Sequence, residues 1–364
     1  MTDERARVAR ARRVLVKIGS SALAGESGIF DRLATSVAKR RSTAFVVVSS
    51  GAIALGMKKL GYRTRPKEIA RLQAAAAAGQ SLLMRAYEEA FAARGLTVAQ
   101  VLLTYADLAD RVRANNARAA LGALLDAGAV PILNENDSVA VDEITLDNDQ
   151  LTAMVAPLVD AELVVLLSDV DGLLDSSGLR IPTVLDVTSD ALPHVRPSTK
   201  TMGKGGMASK VEAARRATLA GANVVVADAH SPGVLDAVLE GEDVGTLFIA
   251  ATKRLSAKKY WIAFTLRPRG ELILDDGAAE AVRAKGKSVL SVGVLGVRGD
   301  FRAGDAVRIV DVRTRELARG LVRCGAGDAA MVAGKAREEL PESLAELALV
   351  VHADEIVVGV HGEL

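Results

Sequence analysis

A single cysteine, Cys324, occurs in 364 residues. That excludes an intramolecular disulfide and any multi-cysteine zinc site, and it fits a reducing cytoplasm. The four histidines, His194, His230, His352 and His361, share no metal-ligand spacing, so no metal held by protein side chains is expected. Neither sign of charge dominates: the formal net charge is +1, and no global field points to nucleic acid or to an acidic membrane face. Aromatic residues make up 3% of the chain, which leaves few platforms on which single-stranded bases could stack. Long apolar runs are missing as well. The Ala-rich stretch from Gln73 to Met84 lies between Arg71 and Arg85 and falls short of the roughly 20 apolar residues that span a bilayer. It reads as a packed helix, and no membrane partner is expected. Met1 to Arg13 carries Asp3 and Glu4 among its arginines and no apolar signal-type segment, so it reads as a short solvated tail. Neither a Gly-x-x-x-x-Gly-Lys-Ser/Thr loop nor a Gly-x-Gly-x-x-Gly fingerprint is present, so a nucleotide site here must belong to a different fold.

The length exceeds the usual single domain, and half the residues are hydrophobic, so two domains with sizeable cores are expected. Apolar strand candidates recur at Val14 to Ile18, Phe45 to Val48, Thr97 to Leu103, Val130 to Leu133, Leu163 to Leu167 and Asn223 to Val226, with helical stretches between most of them. Alternation of this kind predicts an α/β domain of three layers, α/β/α, around a mainly parallel sheet. Asp107 to Leu125 reads as one amphipathic helix, and Leu151 to Leu158 as a helical run opened by Asp147-Asn148-Asp149. After about Ala250 long helices give way to short β-type runs at Tyr260 to Leu266, Glu271 to Leu274, Ala306 to Val312 and Ile356 to Val360. Turn signals stand at Asp275-Asp276-Gly277, Arg298-Gly299-Asp300 and Ala303-Gly304-Asp305. The boundary is expected near Ser256, giving domains 1–256 and 257–364, the second smaller and mostly β.

Polar or glycine-rich loops end these apolar strands. Val14-Leu15-Val16-Lys17 runs into Ile18-Gly19-Ser20-Ser21, where main-chain N–H groups and a lysine point charge suit a phosphoryl group. Val46-Val47-Val48 breaks into Ser49-Ser50-Gly51, which can open a helix and hold a second anion. Asn134-Glu135-Asn136-Asp137 follows Pro131-Ile132-Leu133, at a strand end where a small ligand can meet polar groups. Ser168-Asp169-Val170-Asp171-Gly172 follows another strand, and a base or ribose could lie against that turn. Gly203-Lys204-Gly205-Gly206-Met207-Ala208-Ser209-Lys210 supplies main-chain freedom for gripping phosphates, and Lys210 starts a helix.

In this order the motifs Lys17 to Ser21, Ser49 to Ile53, Asn134 to Asp137, Asp147 to Asp149, Ser168 to Leu173 and Gly205 to Lys210 resemble those of the glutamate 5-kinases of the amino-acid kinase family. Gly293 to Val310 and Val351 to Glu355 resemble the PUA domain that the longer members carry. The resemblance implies the amino-acid kinase fold with a PUA-like domain, and ATP- and Mg²⁺-dependent phosphorylation of the L-glutamate side chain in the first step of proline biosynthesis. It implies phosphate-neutralising roles for Lys17 and Lys210, with Asp149 between them. Ser50, Asp137, Asn148 and Asn134 would hold glutamate, Asp137 reading its α-amino group. ATP would meet Lys17, Gly19, Ser168, Asp169 and the run Lys204, Gly205, Gly206, Met207, Ala208, Ser209 and Lys210. A homodimer or homotetramer is implied, with proline as a feedback inhibitor at a site overlapping that of glutamate. The chain departs from the family pattern at Leu146, where a glycine is common, at Leu174, where a tyrosine is frequent, and at Lys204, where a threonine is usual. Two rival readings remain: another kinase of the same fold, acting on acetylglutamate, aspartate or uridylate, and an RNA-binding role of the PUA-like domain through Arg267, Arg269, Arg283, Lys285, Lys287, Arg298 and Arg302.

Overall fold

The computed structural model describes residues 3–25, 28–139, 147–195 and 206–359. The chain divides into two compact units, Met1–Arg254 and Leu255–Leu364.

The first unit is built on strands β1 (Arg13–Ile18), β2 (Ala44–Ser49), β3 (Val98–Leu103), β4 (Val130–Glu135), β5 (Leu163–Ser168), β6 (Thr183–Val184), β7 (Asn223–Asp228) and β8 (Thr246–Phe248). They form one sheet in the order β3-β4-β2-β1-β5-β7-β8-β6, parallel throughout except where β8 runs against β7. Its helices are α1 (Asp3–Ala9), α2 (Ser20–Gly25), α3 (Ile29–Ala38), α4 (Ala52–Lys59), α5 (Ile69–Ala92), α6 (Tyr105–Ala109), α7 (Arg111–Asp126), α8 (Asn148–Val155), α9 (Met207–Ala220) and α10 (Val234–Leu239).

Side chains alternate across a strand, and two separate cores record this. Leu15, Val46, Val48, Leu133, Val164 and Leu166 pack with α7, α8 and α9. Val14, Val16, Ile18, Val47, Val165 and Leu167 pack with α3, α5 and α10 on the other face. Strands buried on both faces read as unbroken apolar runs, which is why they are legible in the sequence. Helices α4 and α5 cross at two glycines: a Cβ on Gly56 would fall 1.7 Å from the Ala75 carbonyl oxygen, and one on Gly79 would fall 1.7 Å from that of Ala52.

Two expectations for this unit need correction. Asp107 to Leu125 is not one helix. Thr104 and Asp107 form a capping box at the start of α6, and Asp110 is extended (ψ 124°) with its carboxylate accepting from the Arg113 N–H, so it ends α6 and caps α7. The N-terminal segment is not a solvated tail either. Arg5 of α1 is buried and donates to the carbonyls of Pro182, Glu242, Val244 and Gly245, at 2.7 to 3.2 Å.

The second unit carries β9 (Gly270–Leu274), β10 (Val289–Leu290), β11 (Val294–Gly299), β12 (Ala306–Val310), β13 (Glu316–Val322) and β14 (Leu349–Val358), in the order β10-β14-β13-β12-β9-β11. Helices α11 (Ala257–Tyr260), α12 (Asp276–Lys285) and α13 (Ala326–Val332) accompany the sheet. The mostly β character agrees with the sequence, but Tyr260 to Leu266 is not a strand. Ser256 caps α11, which continues as a π-helical turn over Trp261–Thr265 and buries Tyr260, Ile262, Ala263 and Phe264. Burial of that face overrides the β preference of its residues. At the turn signal Asp275-Asp276-Gly277 the chain opens α12, with Asp275 accepting from the Ala278 N–H at 2.7 Å.

Candidate active site

Parallel pairing brings the C-terminal ends of β1, β2, β4 and β5 to one edge of the sheet, with the order reversing on either side of β1. Clefts form at such reversals, outside the carboxyl ends of the strands.

Lys17 lies two residues beyond Leu15 and so points to the face covered by α8 and α9. There its ammonium meets Asp149 Oδ1 at 2.6 Å, and the ammonium of Lys210, in the first turn of α9, meets Asp149 Oδ2 at 3.3 Å. Asp149 is fully buried, and both lysines are nearly so. Burial opposes a charged carboxylate, yet the charges of Lys17 and Lys210 outweigh it and hold the Asp149 pKa below its ordinary value. The result is a buried triad with more positive than negative charge, which suits an anion at its mouth.

In the loop after β1 one main-chain N–H is already engaged. The Gly19 N–H donates to the Leu167 carbonyl at 3.2 Å and is therefore not spare for a phosphate. A Cβ on Gly19 would stand 3.8 Å from Lys17 Nζ, an ordinary van der Waals contact, so the space there does not demand glycine. Gly51, left-handed at φ +95°, precedes α4 and turns the chain out of β2.

Asp147 caps α8, one carboxylate oxygen accepting from the Asp149 N–H at 2.9 Å. Its other oxygen accepts from the Ser209 hydroxyl, which ties the start of α8 to the start of α9. Gly206 precedes α9, and Met207, Ala208 and Ser209 lead into Lys210, so the helix presents its N-terminal dipole beside the triad. Lys204, Gly205 and Leu146 lie outside the described residues.

A second group gathers alongside. The Asn148 amide donates to Ser50 Oγ at 2.9 Å and to Asn134 Oδ1 at 3.3 Å, and the Glu135 N–H also donates to Asn134 Oδ1, at 2.9 Å. The Asn134 amide in turn donates to Gln80 Oε1 at 3.0 Å. In this cluster Asn148 Oδ1 and Gln80 Nε2 are buried without a partner among the described residues, one lacking a donor and the other an acceptor. Asp137 follows in the turn after β4, where burial pushes its pKa up to about 6 against the opposing charge of Arg65. At the end of β5, the Ser168 hydroxyl donates to Asp169 Oδ1 at 2.9 Å.

Thus Lys17, Asp149 and Lys210 form one contact set, and Ser50, Asn134 and Asn148 form another. Gln80 was missed: it sits in an Ala-rich helix where nothing local marks it. Asp147 was read as part of a motif, but its bond to Ser209 across the cleft needs the tertiary structure. Among the described residues no cluster of three or more His, Cys, Asp or Glu could hold a metal ion.

The amino acid kinase family matches residues 12–228, and the PUA domain matches residues 270–344. A glutamate 5-kinase of Myxococcus xanthus is 45% identical, over 96% of this chain and 96% of that protein. One of Chromobacterium violaceum is 43% identical, over 95% of this chain and 97% of that protein. One of Thioalkalivibrio sulfidiphilus is 41% identical, over 98% of this chain and 100% of that protein. On a match of this length and identity, the chain belongs to the amino acid kinase family, within its glutamate 5-kinases.

Proposed function

We propose that this protein transfers the γ-phosphoryl group of ATP to the side-chain carboxylate of L-glutamate, giving L-glutamyl 5-phosphate and ADP, the first step of proline biosynthesis. The observation that carries the reading is the buried Lys17–Asp149–Lys210 set standing at the same sheet edge as the Ser50–Asn134–Asn148 cluster. One supplies positive charge for a phosphoryl group, and the other supplies neutral donors and acceptors for a small polar substrate.

In the reaction a carboxylate oxygen bonds to the γ-phosphorus as the bond from that phosphorus to the β,γ-bridging oxygen breaks, and the electron pair leaves on ADP. The acceptor is already ionised at neutral pH, so no general base has to remove a proton. The work left to the protein is alignment and charge neutralisation. Lys17 and Lys210 neutralise the transferring group, and Asp149, in contact with both, fixes their positions. Asn148, Ser50 and Asn134 orient glutamate, with Asp137 paired to its α-ammonium. Ser168, Asp169 and the segment 204–210 hold ATP. Mg²⁺ would arrive with the nucleotide and would add positive charge beside Lys17 and Lys210; among the described residues no cluster of three or more His, Cys, Asp or Glu could hold it.

Assembly as a homodimer or homotetramer and inhibition by proline belong to the same proposal and rest on the family resemblance; a cytoplasmic location and a boundary at residue 256 belong to it too and rest on the single cysteine and on the change of texture after Ala250. Among the described residues no helix is long and apolar enough to cross a membrane. Among the described residues of the second unit nothing favours RNA binding over this reading. Arg298 and Arg308 pair with Glu271, at 3.6 and 2.7 Å, and Arg308 and Arg319 pair with Glu316, both at 2.8 Å. The kinase reading is tested by ADP release from ATP and Mg²⁺ with and without L-glutamate. Release that depends on glutamate supports it, and equal release without glutamate refutes it.

A further inference from the structure

The turn after β5 is pinned from an unexpected place. Thr246, on the short antiparallel strand β8, is fully buried, and its hydroxyl lies between the two arms of the hairpin that follows the Ser168-Asp169 turn. It accepts from the Leu173 N–H at 2.8 Å and donates to the Ile181 carbonyl at 2.6 Å. The arms also bond directly, Ile181 N–H to Leu173 carbonyl at 2.8 Å. Gly172 makes room for this contact: at φ +146°, a Cβ on it would sit 2.5 Å from Thr246 Oγ1 and 3.0 Å from the Thr246 nitrogen. The base of the arrangement is held from below. Gly245 is left-handed at φ +64°, and its carbonyl accepts from Arg5 at 3.2 Å and from Arg180.

We propose that Thr246 is a positioning residue for nucleotide binding, its hydroxyl fixing the Asp169–Leu173 turn so that Ser168 and Asp169 face ATP. This rests on the reading that the turn contacts ATP. Valine at 246 would keep most of the volume but leave the Leu173 N–H and the Ile181 carbonyl unpaired in a buried place. The turn relieves that by opening toward water, and the groups it carries lose their placement. Glutamate binds on β2, β4 and α8, which Thr246 does not touch.

The test uses the full chain. Affinity for Mg·ADP is measured by calorimetry, and KM for ATP and for glutamate by steady-state kinetics, in Thr246→Val, Thr246→Ser and Asp169→Ala. Thr246→Val is expected to raise the ADP dissociation constant and KM for ATP by about tenfold, less than the full cost of two unsatisfied buried groups because the turn opens toward water. KM for glutamate stays near wild type, and Thr246→Ser restores nucleotide binding. If Asp169→Ala weakens ADP while Thr246→Val does not, or if Thr246→Val changes both KM values alike, Thr246 is merely structural and the inference falls. If Asp169→Ala also leaves ADP binding unchanged, the placement of ATP at this turn is wrong, and the inference falls with it. Should Thr246→Val fail to fold, Thr246→Ala lets water reach the two groups, and the same selective loss is expected of it.

Discussion

Replacing Asp149 by asparagine probes the buried triad with little change in shape. The carboxylate is wholly enclosed and meets two ammonium groups at 2.6 and 3.3 Å. Removing one partner of a buried pair costs about 3–5 kcal/mol, because a charge is left without compensation. Here Asp149→Asn strands two ammonium groups, and the strain is relieved in part when one of them gives up its proton. A loss of about 3–5 kcal/mol corresponds to a fall in Tm on the order of 10 °C for a unit of this size. Catalysis should suffer more, since a neutral or displaced lysine no longer balances the transferring phosphoryl group. A fall in kcat of at least about a hundredfold, near 2.7 kcal/mol of transition-state stabilisation, is expected. The wild-type pH dependence has a definite sign. The folded pKa of Asp149 is depressed, so its contribution is present above the ordinary carboxylate pKa and is lost only as pH falls through the folded value. Between pH 5 and 8 Asp149 should therefore add no slope to stability. Calorimetry and glutamate-dependent ADP release on the pair of proteins decide the matter. An Asp149→Asn protein with unchanged Tm and kcat within threefold of wild type would refute the role assigned to the triad.

Lys17→Ala and Lys210→Ala should each lower kcat at least tenfold, about 1.4 kcal/mol, and near-normal kcat in either would remove that lysine from the mechanism. Asp137, with its pKa raised by burial to about 6, should lose its charge as pH falls below that value, so KM for glutamate rises from pH 7 to pH 5 while kcat changes little. Because the folded pKa is the higher one, protonated Asp137 favours the fold fully below the ordinary carboxylate pKa, that contribution falls as pH rises from there to about 6 and is gone above it, and glutamate binding should release a proton near pH 6. Asp137→Asn should raise KM for glutamate and abolish the pH dependence; a persisting slope would assign it to another group. Gly79→Ala drives a Cβ into the Ala52 carbonyl and must part α4 from α5, so it should cost at least the roughly 1–3 kcal/mol of overpacking and raise KM for glutamate through Ser50, which precedes α4. A Tm equal to wild type would contradict the close crossing.

What the sequence disclosed follows from where its signals are local. Strands such as Leu163–Ser168, buried along their whole length, stand out as apolar runs, and the loops that end them carry the polar residues of the site. The contact of Lys17 with Asp149 and Lys210 came from the resemblance, because no local pattern relates residues so distant in the chain. The errors share a physical origin. Asp110 reads as a polar face of one helix until its extended backbone is seen to cap the next. Arg5 reads as solvated until four carbonyls from distant segments are found around it. Tyr260 to Thr265 is rich in strand-forming residues, yet tertiary burial makes it helical. Gln80 is tied in by one long-range side-chain hydrogen bond and Thr246 by two, and such bonds leave no period or motif behind.

The most direct test of the account traps the product. Purified protein is supplied with ATP, Mg²⁺ and hydroxylamine, and hydroxamate is measured with L-glutamate, L-aspartate or N-acetylglutamate as acceptor, with UDP formation from UMP followed in parallel. The account predicts hydroxamate with L-glutamate and neither hydroxamate from the other two acceptors nor UDP. Hydroxamate from aspartate or N-acetylglutamate instead, or no acyl phosphate from glutamate while ADP still binds, would contradict it.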